Sequence, residues 1–308
     1  MKKKTIGIIG PGIHFEKKIY PLFKKYKFLK IDGILRKKNK SFKNIKVLKE
    51  NAFFRKKFDF IYISCPNNFH QKYIIKSLKN NSHVICEKPF VNNNKTINSI
   101  ILLAQKKKKL IFETFMYQYH PAFDFIKNIL KSKIYGKIQY LIANFRYPSL
   151  KKNNNRYNKN SGGGFFLDSA SYLVSLESLL FKKKFFKKNQ VISQRIKKNI
   201  DLKGNIFINS NNIKRFYFWG EGQNYSNNVE IFFNDASIYI NSFFSKQLDA
   251  QINVKIYAKK SKTIKLKKTN HFKNMFDTVF KNYLDLRFQK LNYLKIKNQA
   301  NLLKVLKS

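Results

Sequence analysis

Thr5-Ile6-Gly7-Ile8-Ile9-Gly10-Pro11-Gly12 decides how the first half of this chain is read. An apolar strand runs straight into a pair of glycines, and the periodicity after them predicts a helix over 16–25. A strand that ends in a glycine turn and feeds a helix aims the free amides of the first helical turn at whatever lies over that turn, which suits a pyrophosphate. Gly10, Gly12 and the adjoining Ile13 are therefore candidate cofactor contacts. The third glycine of the usual fingerprint is missing, because Phe15 stands in its place, and looser packing of helix on strand is expected there.

Further strands are predicted outward from that start at 28–35, 60–65, 83–86 and 110–113, with helices at 71–79 and 95–107. Short apolar strands alternating with helices imply βαβ units, right-handed crossovers and a doubly wound parallel sheet, so the class is α/β. After Pro121 the rhythm changes to a helix over 122–130, a strand over 137–145, a lysine- and asparagine-rich loop over 151–161, three glycines and another helix. Alternating segments at 191–196, 204–210, 215–219, 229–233, 236–244 and 251–258 predict a large, mostly antiparallel sheet. Two closing helices are expected from about His271 and about Asn298. The reading is of two domains, 1–121 for a dinucleotide and 122–308 for substrate.

Composition narrows the partners. The chain has 308 residues, 43% of them hydrophobic, enough for two well-filled cores. It has no apolar run near the roughly 20 residues that span a bilayer and no cleavage-like leader, so a cytoplasmic protein without a membrane partner is expected. Cys65 and Cys86 both close apolar strands, which suits small buried residues better than a disulfide. The formal charge of +48 invites a nucleic-acid reading. Lys, Asn, Ile, Phe and Tyr are inflated together, however, which an A+T-rich coding sequence explains without any selected charge. Arginine, the preferred reader of bases and phosphates, occurs only at 36, 55, 146, 156, 195, 215 and 287. No specific nucleic-acid partner is expected, only salt-sensitive attraction to polyanions.

Val84-Ile85-Cys86-Glu87-Lys88-Pro89 carries the chemistry. It sets Glu87 and the Lys88 ammonium at the carboxyl edge of the parallel sheet, where open α/β folds bind ligands. The loop Ser64-Cys65-Pro66-Asn67-Asn68 leaves the same edge, and Cys65, Pro66 and Asn67 are read as cofactor contacts. The second strand ends in Ile34-Leu35-Arg36-Lys37, with no carboxylate for a ribose 2′-hydroxyl, since Asp32 comes too early. Arg36 and Lys37 suit a 2′-phosphate instead, so NADP is preferred to NAD. His70 reads as a surface or helix-start residue, and no His, Cys or carboxylate spacing matches a metal site. In Gly162-Gly163-Gly164-Phe165-Phe166-Leu167-Asp168-Ser169-Ala170-Ser171-Tyr172, a helix opened by Phe165 puts Asp168 and Tyr172 on one face. A phenol, whose unperturbed pKa is about 10, needs a cation such as Lys88 beside it to pass protons near neutral pH.

Taken in order, the Gly10 turn, Pro66-Asn67, Cys86-Glu87-Lys88-Pro89, Glu113-Thr114-Phe115-Met116-Tyr117-Gln118-Tyr119-His120-Pro121 and the Gly162 to Tyr172 segment resemble the glucose-fructose oxidoreductase and inositol dehydrogenase family, Gfo/Idh/MocA. The resemblance implies a Rossmann domain and an α/β domain whose open sheet forms a homo-oligomer interface. It implies hydride transfer between a nicotinamide and a hydroxyl-bearing carbon of a sugar or cyclic polyol. By motif, Lys88 is the lysine beside nicotinamide and substrate, Asp168 orients substrate, Tyr172 transfers the proton, and Tyr117 and His120 line or support the pocket. Ala170, where the family often has glycine, and the short chain bear on pocket shape more than on fold. Two other functions stand beside this one: reduction of an imine or linear tetrapyrrole by the same fold, and a nucleotide-binding regulator without catalysis.

Overall fold

The computed structural model describes residues 3–36, 41–90, 96–181, 190–197 and 199–307, and they fall into two compact units. The first comprises residues 1–114 and 276–300; the second comprises 115–275 and 301–308. The boundary at 121/122 expected from sequence is therefore set beside one at 114/115, with a C-terminal segment counted with the first unit.

In the first unit β1 (Lys4–Ile9) leads through α1 (Tyr20–Lys25) to β2 (Leu29–Leu35), β3 (Ser41–Phe42) and β4 (Ile45–Leu48). Then come α2 (Glu50–Arg55), β5 (Phe60–Ile63), α3 (His70–Lys79), β6 (His83–Glu87), α4 (Ile97–Lys106) and β7 (Ile111–Thr114). The sheet order is β3-β4-β2-β1-β5-β6-β7, parallel except for the β3–β4 pair. Strand order turns back at β1, the switch point where a crevice opens at the carboxyl edge. Such a sheet is covered on both faces, and its central strands are apolar throughout: Phe60, Ile61, Tyr62 and Ile63 are all inaccessible. The short pieces β3, β4 and α2 were not expected, because segments so brief leave little periodicity to detect.

Phe15 does not loosen the packing; it is fully buried among the rings of Tyr20, Phe23, Phe42 and Tyr62. The chain makes room for it with a π turn over Phe15–Ile19, which widens the helix where a glycine is usual. Burying such a ring contributes about 2 kcal/mol.

The second unit holds α5 (Pro121–Ser132), β8 (Ile138–Tyr147) and α6 (Ser171–Leu180). Its sheet continues through β9 (Gln190–Lys197), β10 (Ile200–Ser210), β11 (Ile213–Glu221), β12 (Ser226–Phe233), β13 (Ser237–Asn241), β14 (Asn253–Tyr257) and β15 (Lys262–Lys265). The order is β15-β14-β13-β12-β8-β11-β10-β9, antiparallel save for the central β8–β11 pair. Alternation is regular: in β12, Asn227, Val229, Ile231 and Phe233 are buried while their neighbours are not. Of the closing helices, α7 (His271–Asn282) starts as expected, whereas α8 (Leu286–Lys307) begins well before Asn298. Its length was hidden by its lysines, which break the apolar stripe, although Tyr293, Ile296 and Ala300 join the first unit's core. Among the described residues no helix is long and apolar enough to cross a membrane.

Candidate active site

The first unit carries the expected cofactor residues on loops at the carboxyl edge of its sheet. Gly10 has φ +66, and a Cβ there would stand 2.4 Å from the Cys65 Cβ and 2.5 Å from its Cα. The β1 and β5 loops thus touch, and only glycine fits between them. Gly10 N–H donates to the Leu35 carbonyl at 2.8 Å and Ser64 N–H to that of Ile9 at 2.9 Å, which ties the ends of three strands together. At Gly12 an added Cβ would meet nothing within 4 Å, and the next side chain, Ile13, is 73% exposed. A tight turn under open space is the cradle a dinucleotide pyrophosphate needs, and the residues fit that group.

Arg36 follows β2, its guanidinium 5.5 Å from the Phe42 ring centre. Lys37 lies outside the described residues. Pro66 and Asn67 open a short 3-10 turn before α3. Both cysteines are free and buried; burial pushes the Cys65 thiol up to about 12 and raises that of Cys86, so neither is a thiolate near neutral pH.

Lys88 stands just beyond β6 in the same edge, and the Lys88–Pro89 bond is cis. Glu87 accepts a hydrogen bond from the Tyr62 hydroxyl. Two side chains hold the turn after Lys88. Glu113, at the end of β7, accepts from Phe90 N–H at 2.8 Å. His70 is not a surface residue: it opens α3 but is inaccessible, with Nδ1 2.8 Å from the Pro89 oxygen and Nε2 2.9 Å from the Cys65 oxygen. The sequence reading missed Glu113 and the true place of His70, since a polar residue near a helix start usually faces water.

Tyr117, His120, Asp168 and Tyr172 belong to the second unit. Tyr172 is buried under Phe115, Phe145 and Phe244, its hydroxyl 3.5 Å from the Met116 sulfur. Tyr117 lies beside it, ring centres 6.0 Å apart, and donates to Ser175 Oγ at 2.9 Å. His120 acts locally, its Nδ1 accepting Ala122 N–H at 3.1 Å and so capping α5. Burial pushes its pKa down to about 4, so it is neutral near pH 7.

Asp168 departs from the expected regular helix. It lies in a π turn over Phe166–Ala170, which precedes α6, so four-residue spacing does not set Asp168 and Tyr172 on one face of an α-helix. Its carboxylate is held instead by Arg156, Nε to Oδ2 at 2.6 Å and Nη2 to Oδ1 at 3.1 Å, and by the Tyr147 hydroxyl at 2.7 Å. Arg156 is placed by its own backbone, whose carbonyl accepts Gly164 N–H at 2.8 Å. The Asp168 charge raises the Arg156 pKa, and burial raises that of Tyr147, so both keep their protons. Neither partner was legible in sequence, because loop and strand residues meet Asp168 only through the fold.

A parallel sheet whose strand order turns back at β1, with a glycine turn at its carboxyl edge, is an architecture that suits a dinucleotide, and the same chain carries a second unit on an open eight-stranded sheet. Residues 4–115 match the Gfo/Idh/MocA family model, described as "Oxidoreductase family, NAD-binding Rossmann fold". Among curated proteins it is similar to the dTDP-3,4-didehydro-2,6-dideoxy-alpha-D-glucose 3-reductase of Actinomadura kijaniata, 23% identical over 61% of this chain and 57% of that one. It is also similar to the trans-1,2-dihydrobenzene-1,2-diol dehydrogenase of Xenopus laevis, 28% identical over 40% of this chain and 37% of the relative. The matches thus span little more than half of these relatives or less. Among solved structures, a 3-ketoreductase from Actinomadura kijaniata in complex with NADP and TDP-benzene superposes with a TM-score of 0.92, at 19% identity over 99% of this chain and 97% of that one. An aldose-aldose oxidoreductase from Caulobacter crescentus gives 0.84 at 14% identity over the same shares. At these identities the likeness concerns the fold.

Proposed function

We propose that this chain is an NADP-linked oxidoreductase acting at a hydroxyl- or carbonyl-bearing carbon of a sugar or cyclic polyol. The observation that carries the reading is the order of chemistry along one architecture: a glycine cradle, Lys88 at the carboxyl edge of the same sheet, and a phenol, Tyr172, opening α6. The Actinomadura ketoreductase has been solved with a single lysine replaced and with a single tyrosine replaced, and those two stand as far apart along its chain as Lys88 and Tyr172 do here.

Bound at Gly10 and Gly12, a nicotinamide cofactor supplies or accepts the hydride. The chain's part is position and charge. Lys88 supplies a cation that favours an anionic substrate oxygen, Tyr172 is the proton-transfer phenol, and Asp168, fixed by Arg156 and Tyr147, is the carboxylate that orients a substrate hydroxyl. Cys65, Pro66, Asn67 and Glu87 line the cofactor side, while Tyr117 and His120 support the substrate side. Relatives named for a nucleotide-linked keto sugar, a dihydrodiol and an inositol support a polyhydroxylated or ketonic ring as substrate.

The test is oxidation of NADPH or reduction of NADP across free and nucleotide-linked sugars, followed at the nicotinamide absorbance. Lys88→Ala and Tyr172→Phe should each lower turnover by at least about a hundredfold, in line with loss of a proton-transfer or electrostatic group. Full turnover by both variants would overturn the assignment.

The proposal extends to a cytoplasmic homo-oligomer that pairs through the open sheet. Tyr140, Ile142, Phe207, Phe216, Phe218 and Phe232 share the outer face by register and remain partly exposed, an apolar patch of the kind copies cover. Light scattering on the purified chain reads the mass directly, and a monomer at micromolar concentration would refute the pairing.

A further inference from the structure

A lysine that must meet a reacting oxygen needs a fixed backbone, and the turn carrying Lys88 has two unusual attachments, a buried one through His70 and a half-buried one through Glu113. On one side, the His70 ring lies between the carbonyls of Pro89 and Cys65, at 2.8 and 2.9 Å. On the other, the Glu113 carboxyl accepts Phe90 N–H at 2.8 Å. The Cys65 backbone in turn abuts Gly10, so the glycine turn, the β5 loop and the Lys88 turn form one continuous set of contacts with His70 at its centre. All of these residues lie in the first unit.

We propose that His70 and Glu113 are positioning residues, a two-sided clamp that sets the Lys88 turn against the cofactor cradle. The inference rests on the cofactor reading above and adds to it residues that touch neither cofactor nor substrate.

The chemistry supports fixing rather than proton transfer. Carbonyl oxygens only accept, so a neutral imidazole donates to one of the two, and donation to both requires the second proton. Burial opposes that proton and the Glu87 carboxylate favours it, Lys88 being the other charged neighbour. In either form the ring fills the space between two loops and supplies a buried donor, and deleting it leaves a carbonyl without a partner. Glu113 works in the other direction, as an acceptor for the amide just past Pro89.

Hydrogen exchange and NADPH binding on the intact chain test the clamp separately. The variants are His70→Phe, which keeps a ring without donors, His70→Gln, which keeps an N–H donor, Glu113→Leu and Glu113→Gln. In His70→Phe and Glu113→Leu the Phe90 amide should exchange about tenfold faster while the amides of β1 and β5 keep their protection, as expected for loss of one hydrogen bond that holds the turn. The glutamine variants should recover at least half of that change on a logarithmic scale. NADPH affinity, read by its fluorescence at a temperature where the variant stays folded, should fall about tenfold in His70→Phe. Unchanged Phe90 exchange in both His70→Phe and Glu113→Leu would overturn the clamp, as would wild-type NADPH affinity in His70→Phe. If His70→Phe does not fold, the same reading is taken from His70→Gln, where exchange equal to the unmutated chain with the Glu113→Leu change also absent refutes the proposal. A wild-type chain that binds no NADPH refutes the cofactor reading instead, and the exchange arm still decides the clamp.

Discussion

Arg156 and Asp168 meet through two parallel contacts, Nε to Oδ2 at 2.6 Å and Nη2 to Oδ1 at 3.1 Å. The planar fork matches the carboxylate, so the pair fixes direction as well as charge. Arg156 lies in the loop before the glycine run, and the carboxylate it holds is one proposed to orient substrate. Replacing the fork with a point charge separates the two effects. Arg156→Lys should lower kcat about tenfold while NADPH affinity stays within twofold, measured by steady-state kinetics and fluorescence titration. Equal kcat would mean that the orientation of Asp168 does not limit turnover.

Glu113 gives a pH dependence with a definite sign. Burial pushes its carboxyl up to about 8 from 4.5, with the Phe90 N–H and Lys88 opposing and Glu87 adding. Between those values the unfolded chain releases the proton and the folded chain keeps it. Its contribution to stability is therefore present below about pH 4.5 and falls as pH rises toward 8, with a limiting slope of about 1.4 kcal/mol per pH unit. Glu113→Gln should lose that slope, so that it appears in the difference between the two stability-against-pH curves, measured by urea denaturation at successive pH values. Parallel curves from about pH 5 to about pH 8 would contradict the buried acid.

Glu177 and Arg215 are a different case, each side chain only 1% exposed and joined at 3.0 Å. Tyr217 donates to the same Glu177 oxygen. Removing one member of a buried pair strands the other charge, so Arg215→Met should cost about 3–5 kcal/mol of unfolding free energy. Adding Glu177→Gln, which keeps an acceptor for Tyr217, should restore most of the loss in the double variant. Chemical denaturation of the two variants against the wild type checks both claims.

Arg36 is the residue proposed to carry the cofactor preference. With no carboxylate at the end of β2, NADPH should bind at least about tenfold more tightly than NADH at low salt, and Arg36→Ala should remove most of that ratio. Raising the salt should narrow the same ratio, because an exposed charge pair is screened. Paired titrations with NADPH and NADH measure it, and an unchanged ratio in Arg36→Ala would move the selectivity elsewhere.

Short-range pattern made much of the fold readable. β1, β5 and β6 are apolar runs with a glycine or proline within three residues of their ends, and such signals lie close together in the chain. The alternation in β12 and β13 gave the second sheet in the same way. Lysine-laden helices were harder: α8 buries Tyr293, Ile296 and Ala300 amid charged residues whose stems cover apolar surface, so its stripe is faint. The two π turns were invisible, since an inserted residue in a helix leaves no pattern in the letters.

The residues proposed to carry the chemistry, Gly10, Gly12, Lys88, Asp168 and Tyr172, come from the one-dimensional order of amino acids, because motif spacing is itself a property of the chain. Their supports were decided only in three dimensions. His70 beneath the Lys88 turn, Glu113 on the Phe90 amide, and Arg156 and Tyr147 on Asp168 are contacts between separate loops and strands. A side chain's partners across such distances depend on which strands pair and how the chain turns between them, and burial then turns an ordinary histidine or glutamate into a fixed internal prop.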